Sequence, residues 1–347
     1  MRREIGGVER WALELSRLLP ELRPGRYRVI GPPAALAHGA GQPWEQLALP
    51  LAARGAELLL SPANLAPLAG RRNVVVIHDC APFRDRSWFG GAYGAWHRAL
   101  VPRIARRARL VIAPSEHVRG ELGELFGLPG ERVHVVAPGV DEAFRSPGDP
   151  APLLRRLGLE RPYVLALGTD SPRKNLGLLD AIAPRLANEG IEVVIAGSTR
   201  PYLPGGSART GRYTTEPRQT PPSMRREARR LGYVADADLP ALYAGAAAFA
   251  MPSLYEGFGL PCVEAMAAGT PVVAADRAAL PEACGGAALL VDPGDGDAFA
   301  AALLRAAGHE RDLLVEAGRE RASQLSWERT AEAVDRALAP LLSTSRS

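Results

Sequence analysis

Two glutamates stand eight positions apart around a glycine-rich turn in Pro252 to Glu264, PSLYEGFGLPCVE, followed by AMAAGTPVVA. A glycine turn opening a helix exposes backbone N–H groups at the positive end of the helix dipole, which is an anion site. Gly257, Gly259 and Leu260 would supply those donors, and Phe258 falls inside the same turn. Were the intervening chain wholly helical, Glu256 and Glu264 would lie about 12 Å apart at ~1.5 Å per residue. Glycosidase carboxylate pairs lie roughly 5 to 9.5 Å apart, so hydrolytic partnership does not fit. The pair reads as two hands on one long ligand with a phosphate between them. The plain alternative is a strand-to-helix turn with one solvated and one capping glutamate.

A second segment, Gly168 to Leu176, GTDSPRKNL, follows the apolar run YVLALG and precedes an amphipathic stretch. Arg173 and Lys174 therefore fall at the C-terminal edge of a parallel sheet, where such sheets bind ligands. Lys and Arg total 42, and Lys174 is the single lysine, leaving 42 − 1 = 41 arginines. In a chain that uses arginine wherever charge alone is wanted, a lone ammonium calls for a chemical reason, and a compact point charge suits one phosphate oxygen. Neither cation has an obvious local partner beyond Asp170, and a diphosphate would supply the missing charge. A solvent-facing basic turn is the alternative. Earlier in the chain, VVVIHD ends a buried strand in His78 and Asp79, which places His78 at a strand's C-terminal end, as a ligand-facing or a merely hydrogen-bonded residue. Gly6-Gly7-Val8-Glu9 opens another helix and brings Gly7 amide groups toward the same end.

Positioning these groups requires strands whose ends carry loops. Short apolar β-rich runs alternate with helical patterns along the chain, the signature of α/β parallel sheets covered on both faces. The expected strands are Tyr27–Ile30, Glu57–Leu60, Val74–Ile77, Leu110–Ala113 and Val133–Ala137, then Tyr163–Leu167, Glu192–Ala196, Leu231–Val234, Ala248–Met251, Pro271–Ala274 and Ala288–Val291. Asp141 to Pro152, DEAFRSPGDPAP, lacks periodicity and reads as an interdomain linker. Ser198 to Ser223 is polar and proline-rich and reads as a surface loop, and a helical tract from Ser326 to Leu342 closes the chain. The expected division is 1–148, 149–325 and a last helix, 326–347, packing back toward the first domain. Only Met1 to Ile5 precede Gly6-Gly7, and Arg2, Arg3 and Glu4 suit no central strand, so the opening strand is expected to be missing.

In this order the segments resemble the glycosyltransferases of family 4, retaining enzymes of the GT-B type. The resemblance runs from GGVERWALEL through WEQLALP, VVVIHD, VIAPSEHVRGEL, VHVVAPGVD, GTDSPRKNL, LGYVADADLPALYAGA and PSLYEGFGLPCVEAMAAGTPVV to LVDPGD and SWERTAEAV. It implies two Rossmann-like parallel-sheet domains facing across a cleft, with the donor on the second. It makes Glu256 the residue that holds donor-sugar hydroxyls, Glu264 the one that binds the nucleotide ribose, and Lys174 with Arg173 the grip on the diphosphate. His78 resembles the histidine near the transferred sugar, Gly7 the glycine approaching the phosphates, and Tyr233 in LGYV lies where the base sits. Thr169 stands where many members carry an arginine, which shifts the second cation to Arg173.

Asp236-Ala237-Asp238 and Asp295-Gly296-Asp297 match D-x-D, a manganese pattern of another glycosyltransferase fold, but stand at strand-to-helix junctions and read as caps. No His/Cys spacing suits zinc, so no metal and no cofactor is expected. In WHRALVPRIARRAR, Arg103, Arg106 and Arg107 share a helical face, either a solvated one or a peripheral contact with anionic lipid. A net charge of +4 is too small to imply nucleic acid. The start has no apolar leader, and Cys80, Cys262 and Cys284 are odd in number and widely spaced, which favours the cytoplasm. The reading is a hexosyltransferase that moves mannose from GDP-mannose to a glycan or lipid-linked glycan hydroxyl. The alternatives are a sugar-nucleotide epimerase of the same architecture and a non-catalytic sugar-nucleotide-binding partner subunit.

Overall fold

The computed structural model describes residues 6–33, 43–70, 72–197 and 227–342. They form two compact units: Asp85–Gly91 with Asp141–Gln324 make one, and the remaining chain, including Leu325 onward, makes the other. The expected opening-strand gap and the loop at 198–223 fall outside the described residues.

The first unit carries four parallel strands, β1 (Leu59–Ser61), β2 (Asn73–Val76), β3 (Leu110–Ala113) and β4 (Val133–Val135), in the order β1-β2-β3-β4. Val74 pairs with Leu110 and Val111 with Val133, so β2 and β3 are central, and all four residues of each are buried. Helix Gly91–Arg107 adds Val101 and Ile104, and helix Glu116–Phe126 adds Val118 and Leu122, to the core over Val75, Ile77 and Val111. Ser115 caps the second of these helices by accepting the Val118 amide, and Gly127 ends it in the left-handed region at φ 66°.

Tyr27–Ile30 is not a strand. The Tyr27 hydroxyl instead donates to Asp335 at 2.6 Å, while Val29 stays exposed. Asp335 belongs to helix Trp327–Leu338, which packs on helix Gly7–Leu22 in this unit. There Trp11 meets Trp327 edge-on at 6.1 Å.

The second unit has six parallel strands: β5 (Tyr163–Leu167), β6 (Glu192–Ala196), β7 (Arg229–Gly232), β8 (Ala248–Met251), β9 (Val272–Ala275) and β10 (Leu289–Val291). Their order is β10-β9-β8-β5-β6-β7. Counted within the unit this is 3-2-1-4-5-6, the doubly wound arrangement, and it reverses between β5 and β8. Helix Leu176–Asn188 places Leu179, Ile182 and Leu186, and helix Gly296–Ala307 places Phe299 and Leu303, on Val164, Val193 and Val273. Each such side chain contributes about 1.5 to 3 kcal/mol by leaving water, so truncating Leu179 to Ala would cost roughly 2 to 5 kcal/mol.

The tract 141–152 is not aperiodic. Asp141 caps a turn of helix, Glu142–Arg145, whose Phe144 is buried edge-on against Tyr243 at 5.7 Å. That anchor draws residues 141–148 into the second unit, so the division falls at Val140/Asp141 and not at 148.

Candidate functional site

At a reversal such as that between β5 and β8, open α/β sheets leave a gap beyond the carboxyl ends of the strands, where ligands bind. The two segments singled out in the sequence are those loops. After β5, Gly168 donates to the Ala196 carbonyl at 3.0 Å. Gly197 (φ 141°) approaches so closely that a Cβ there would collide with the Gly168 oxygen. The chain then turns through a short 3-10 segment, Pro172–Lys174, and leaves through Asn175 at φ 51°.

That turn folds the Lys174 stem over Gly168 and sends Nζ to Glu256 Oε1 at 2.7 Å. Arg173 Nη1 donates to Glu256 Oε2 at 2.8 Å and to the Tyr255 carbonyl at 2.7 Å. The Leu254 amide donates to the Arg173 carbonyl at 2.8 Å, and the Ser253 hydroxyl also bonds Glu256. The Tyr255 ring lies 5.9 Å from Trp88 of the same unit. All three charged side chains are largely buried, at 19%, 13% and 11% exposure for Arg173, Lys174 and Glu256.

Neither cation has an obvious partner nearby in the sequence beyond Asp170, and the fold supplies a distant one: Glu256 is their shared counter-ion. It stands 82 residues from Lys174 in the chain, and only the adjacency of β5 and β8 brings them together. Burial alone would push the Glu256 carboxyl up. Arg173 and then Lys174 outweigh it and hold the group at about 2. Burial, with Arg173 adding to it, lowers the Lys174 ammonium against the opposing pull of Glu256.

Beyond Glu256 the turn passes through Gly259 at φ 116°, where a Cβ would stand 2.7 Å from Leu280 Cδ2. Helix Leu260–Ala267 then begins with no side chain capping it. Gly257 and Phe258 are buried in the turn. Glu264, in the middle of the helix, is buried and accepts the Tyr243 hydroxyl at 3.1 Å. Tyr243 itself is locked by Phe144 and Phe249 and by its carbonyl, which accepts Thr270 Oγ1 at 2.6 Å. Tyr233 follows β7 and is 39% exposed. Sequence reasoning missed Tyr243, which reads there only as part of an apolar helix face.

In the first unit His78 lies just past β2. Its Nε2 is 2.7 Å from the Pro62 carbonyl, and its backbone amide donates to Asn64 Oδ1 at 2.7 Å. A carbonyl accepts only, so Nε2 carries the proton. The ring meets Trp11 edge-on at 5.5 Å, and burial lowers its proton affinity against the pull of Pro62, Asp79 and Glu9. Gly7 opens the first helix. The Gly6 amide donates to Glu9 Oε2 at 3.1 Å, and a Cβ at Gly7 would meet open space. Non-glycine residues with positive φ cluster beside these groups: Asn64 next to His78, Asn175 after Lys174, and Ala278, whose neighbour Ala279 donates to the Glu256 carbonyl at 3.4 Å. Such backbone is retained where the surroundings over-determine it.

The two D-x-D matches divide. Asp295 caps helix Gly296–Ala307 by accepting the Ala298 amide at 2.9 Å. Asp238 makes no cap. Its carboxylate takes Arg156 at 2.6 Å, because the 3-10 turn at Asp236–Asp238 leads into the next helix without an open first turn. Among the described residues no group of three or more His, Cys, Asp or Glu gathers as metal ligands.

Residues 5–144 match the family Glycosyltransferase Family 4, and residues 161–309 match Glycosyl transferases group 1. An O-antigen chain mannosyltransferase B from Escherichia coli is 37% identical over 267 residues, covering 74% of this chain and 67% of the relative. An MMP α-(1→4)-mannosyltransferase from Mycolicibacterium hassiacum is 32% identical over 266 residues, covering 72% of this chain and 60% of the relative. In structure, Anabaena HepE in complex with UDP superposes with a TM-score of 0.68 at 20% identity, covering 98% of each chain. The fold is that of the GT-B glycosyltransferases. The chain belongs to glycosyltransferase family 4.

Proposed function

We propose that this enzyme transfers a hexose from a nucleotide diphosphate sugar to a hydroxyl of a glycan or lipid-linked glycan, with GDP-mannose as donor. The observation that carries the reading is the Arg173–Lys174–Glu256 cluster at the β5/β8 reversal, two cations against one carboxylate. Its net charge of +1 is what a bound diphosphate completes. Glu256 keeps both cations aimed at the gap until the donor arrives. On binding, Lys174 and Arg173 turn to the phosphate oxygens, and the freed Glu256 oxygens accept hydroxyls of the sugar. As the glycosidic bond breaks, negative charge grows on the diphosphate, and groups already oriented toward it lower the barrier without reorganising. The first-turn amides after Gly259 add the positive end of a helix, Glu264 takes the ribose, and Tyr233 lies beside the base.

In the first unit Gly7 and His78 serve the phosphates and the transferred sugar, with His78 neutral and its Nδ1 the hydrogen-bond acceptor. The resemblance to family 4 implies retention of anomeric configuration, and transfer needs no metal. Mannose is supported by the two mannosyltransferase relatives. HepE has been solved with UDP and with UDP-glucose, which makes UDP-glucose the donor to set against it. The transferases among the relatives speak against the epimerase and partner-subunit alternatives. No described helix is long and apolar enough to cross a membrane. The exposed Arg103, Arg106 and Arg107 are the proposed contact for an anionic membrane on the cytoplasmic side.

The test is a thermal-shift panel of nucleotide sugars followed by release of free nucleotide diphosphate in the presence of acceptor. A specific donor stabilises by RT ln(1 + [L]/Kd), about 2.7 kcal/mol at a hundredfold excess over Kd. Stabilisation by GDP-mannose with acceptor-dependent GDP release supports the reading. A response to UDP-sugars alone replaces mannose, and no acceptor-dependent release removes the transfer.

A further inference from the structure

Three sulfur atoms from three separate elements meet behind the cation cluster. Met251 ends β8, Cys262 stands in the first turn of helix Leu260–Ala267, and Cys284 closes helix Leu280–Cys284. Cys262 Sγ lies 3.4 Å from Met251 Sδ, and the Cys262 and Cys284 thiols hydrogen-bond one another. Both cysteines are fully buried and unbridged, and Met251 is 2% exposed. The chain has 3 cysteines and 4 methionines, so the trio gathers three of its seven sulfur-bearing residues in one place. Apolar packing alone would be served by the alanine, valine and leucine used almost everywhere else in this core.

Two thiols and a thioether are the donor set that favours soft ions of filled d shell over hard ones. Three sulfurs around one ion at bonds of about 2.3 Å stand about 4 Å apart, so a 3.4 Å contact has only to spread slightly. We propose that Met251, Cys262 and Cys284 form a binding site for a soft monovalent cation, Cu(I) or Ag(I), whose occupation disables the donor site beside it. Each thiol releases its proton to the solvent, and two thiolate and one thioether lone pairs bind the ion with no change of oxidation state. The site gains one net negative charge. Cys262 lies within electrostatic reach of Lys174 and Glu256, so that charge competes for the ammonium that the donor needs. The loss of transfer rests on the proposed function, whereas the binding does not.

The experiment titrates the full chain, kept reduced and then freed of reductant without air, with Ag(I), and in parallel with Cu(I) against a competing cuprous chelator. Uptake is read by sulfur-to-metal charge-transfer absorption and transfer by nucleotide release. One equivalent should bind, and transfer should fall at least tenfold at that point. Cys262→Ser and Cys284→Ser should each weaken uptake at least a hundredfold, and Cys80→Ser in the other unit should leave both readouts unchanged. Met251→Leu, which keeps the volume, should bind one equivalent at least tenfold more weakly. Uptake that survives loss of both Cys262 and Cys284, or that follows Cys80, overturns the site. Should the cysteine variants fail to fold, unchanged affinity in folded Met251→Leu overturns it equally. Stoichiometric uptake with transfer intact overturns the disabling step and leaves the proposed function standing. Absence of transfer in untreated enzyme refutes the proposed function while the uptake measurement still decides the site.

Discussion

Glu256 and His78 each follow a parallel strand and each is buried, yet one is held charged and the other neutral. Two cations from the neighbouring loop more than offset the cost of burying the Glu256 carboxylate. At the His78 ring the pull of Asp79 and Glu9 does not outweigh burial, and the ring bonds the Pro62 carbonyl and meets the edge of Trp11. The difference is one of solvation. A buried charge persists only when its partners are arranged around it, so the second unit holds its charged groups in place in advance, whereas the first offers shape and hydrogen bonds.

The largest effect should come from breaking the charged half of this comparison. Lys174→Ala and Glu256→Gln should each lower turnover at least tenfold with the fold retained, as circular dichroism would show. On the proposed function, removing Lys174 deletes a charge that stabilises the leaving diphosphate. Glu256→Gln keeps the shape but leaves Arg173 and Lys174 without their counter-ion. Turnover at the wild-type rate in either folded variant would remove the cluster from the site.

Acid should separate the two regions next. Glu256 is held at about 2 against an ordinary 4.5, so the folded state binds its proton less readily than the unfolded chain does. Its contribution, on the order of 3 kcal/mol, is whole above about pH 4.5 and lost as the pH falls toward 2. His78 is lowered by burial from 6.5, so the unfolded chain takes up that proton first and stability begins to fall below about pH 6.5. Melting temperatures from pH 7 to 3 should show both steps. Glu256→Gln should flatten the lower one and His78→Gln the upper. A single step common to both variants would mean that the two groups do not titrate as independent sites.

Much of the donor side can be read from residue types. Strands β5, β6 and β8 lie where the apolar runs predict, as does β3 in the first unit, and a solitary lysine in an arginine-rich chain marks the cluster. Its counter-ion is not legible, since pairing Lys174 with Glu256 requires the order of β5 and β8, a property of the sheet and not of either segment. For the same reason Phe144 hides in a stretch that looks like linker. Tyr27 looks like a strand residue because its partner, Asp335, lies 308 positions away.

A finer probe is the phenol behind Glu264. Tyr243→Phe removes one hydrogen bond, worth roughly 1 kcal/mol, and leaves the ring between Phe144 and Phe249. If Glu264 binds the ribose, the donor KM should rise about fivefold with kcat within twofold. Glu264→Gln should raise it further. A fall in kcat at constant KM would place Tyr243 on the path of transfer and away from donor binding.

The smallest expected effect is none at all: EDTA should leave the transfer rate unchanged. The aspartates that could bind a divalent cation are already engaged. Asp238 faces Arg156 at 2.6 Å, Asp295 accepts the Ala298 amide, and Asp297 faces Arg185 at 2.7 Å. Recruiting either pair to manganese would forfeit a cap worth about 1 kcal/mol or expose an arginine to the same ion. Lys174 and Arg173, by contrast, already stand at the β5/β8 reversal and carry the two positive charges that a metal ion would bring to a diphosphate. Chelation followed by manganese add-back separates the two arrangements. Activity lost to EDTA and restored by manganese would show that the protein cations alone do not hold the diphosphate, and would make Glu256 a candidate ligand in place of a counter-ion.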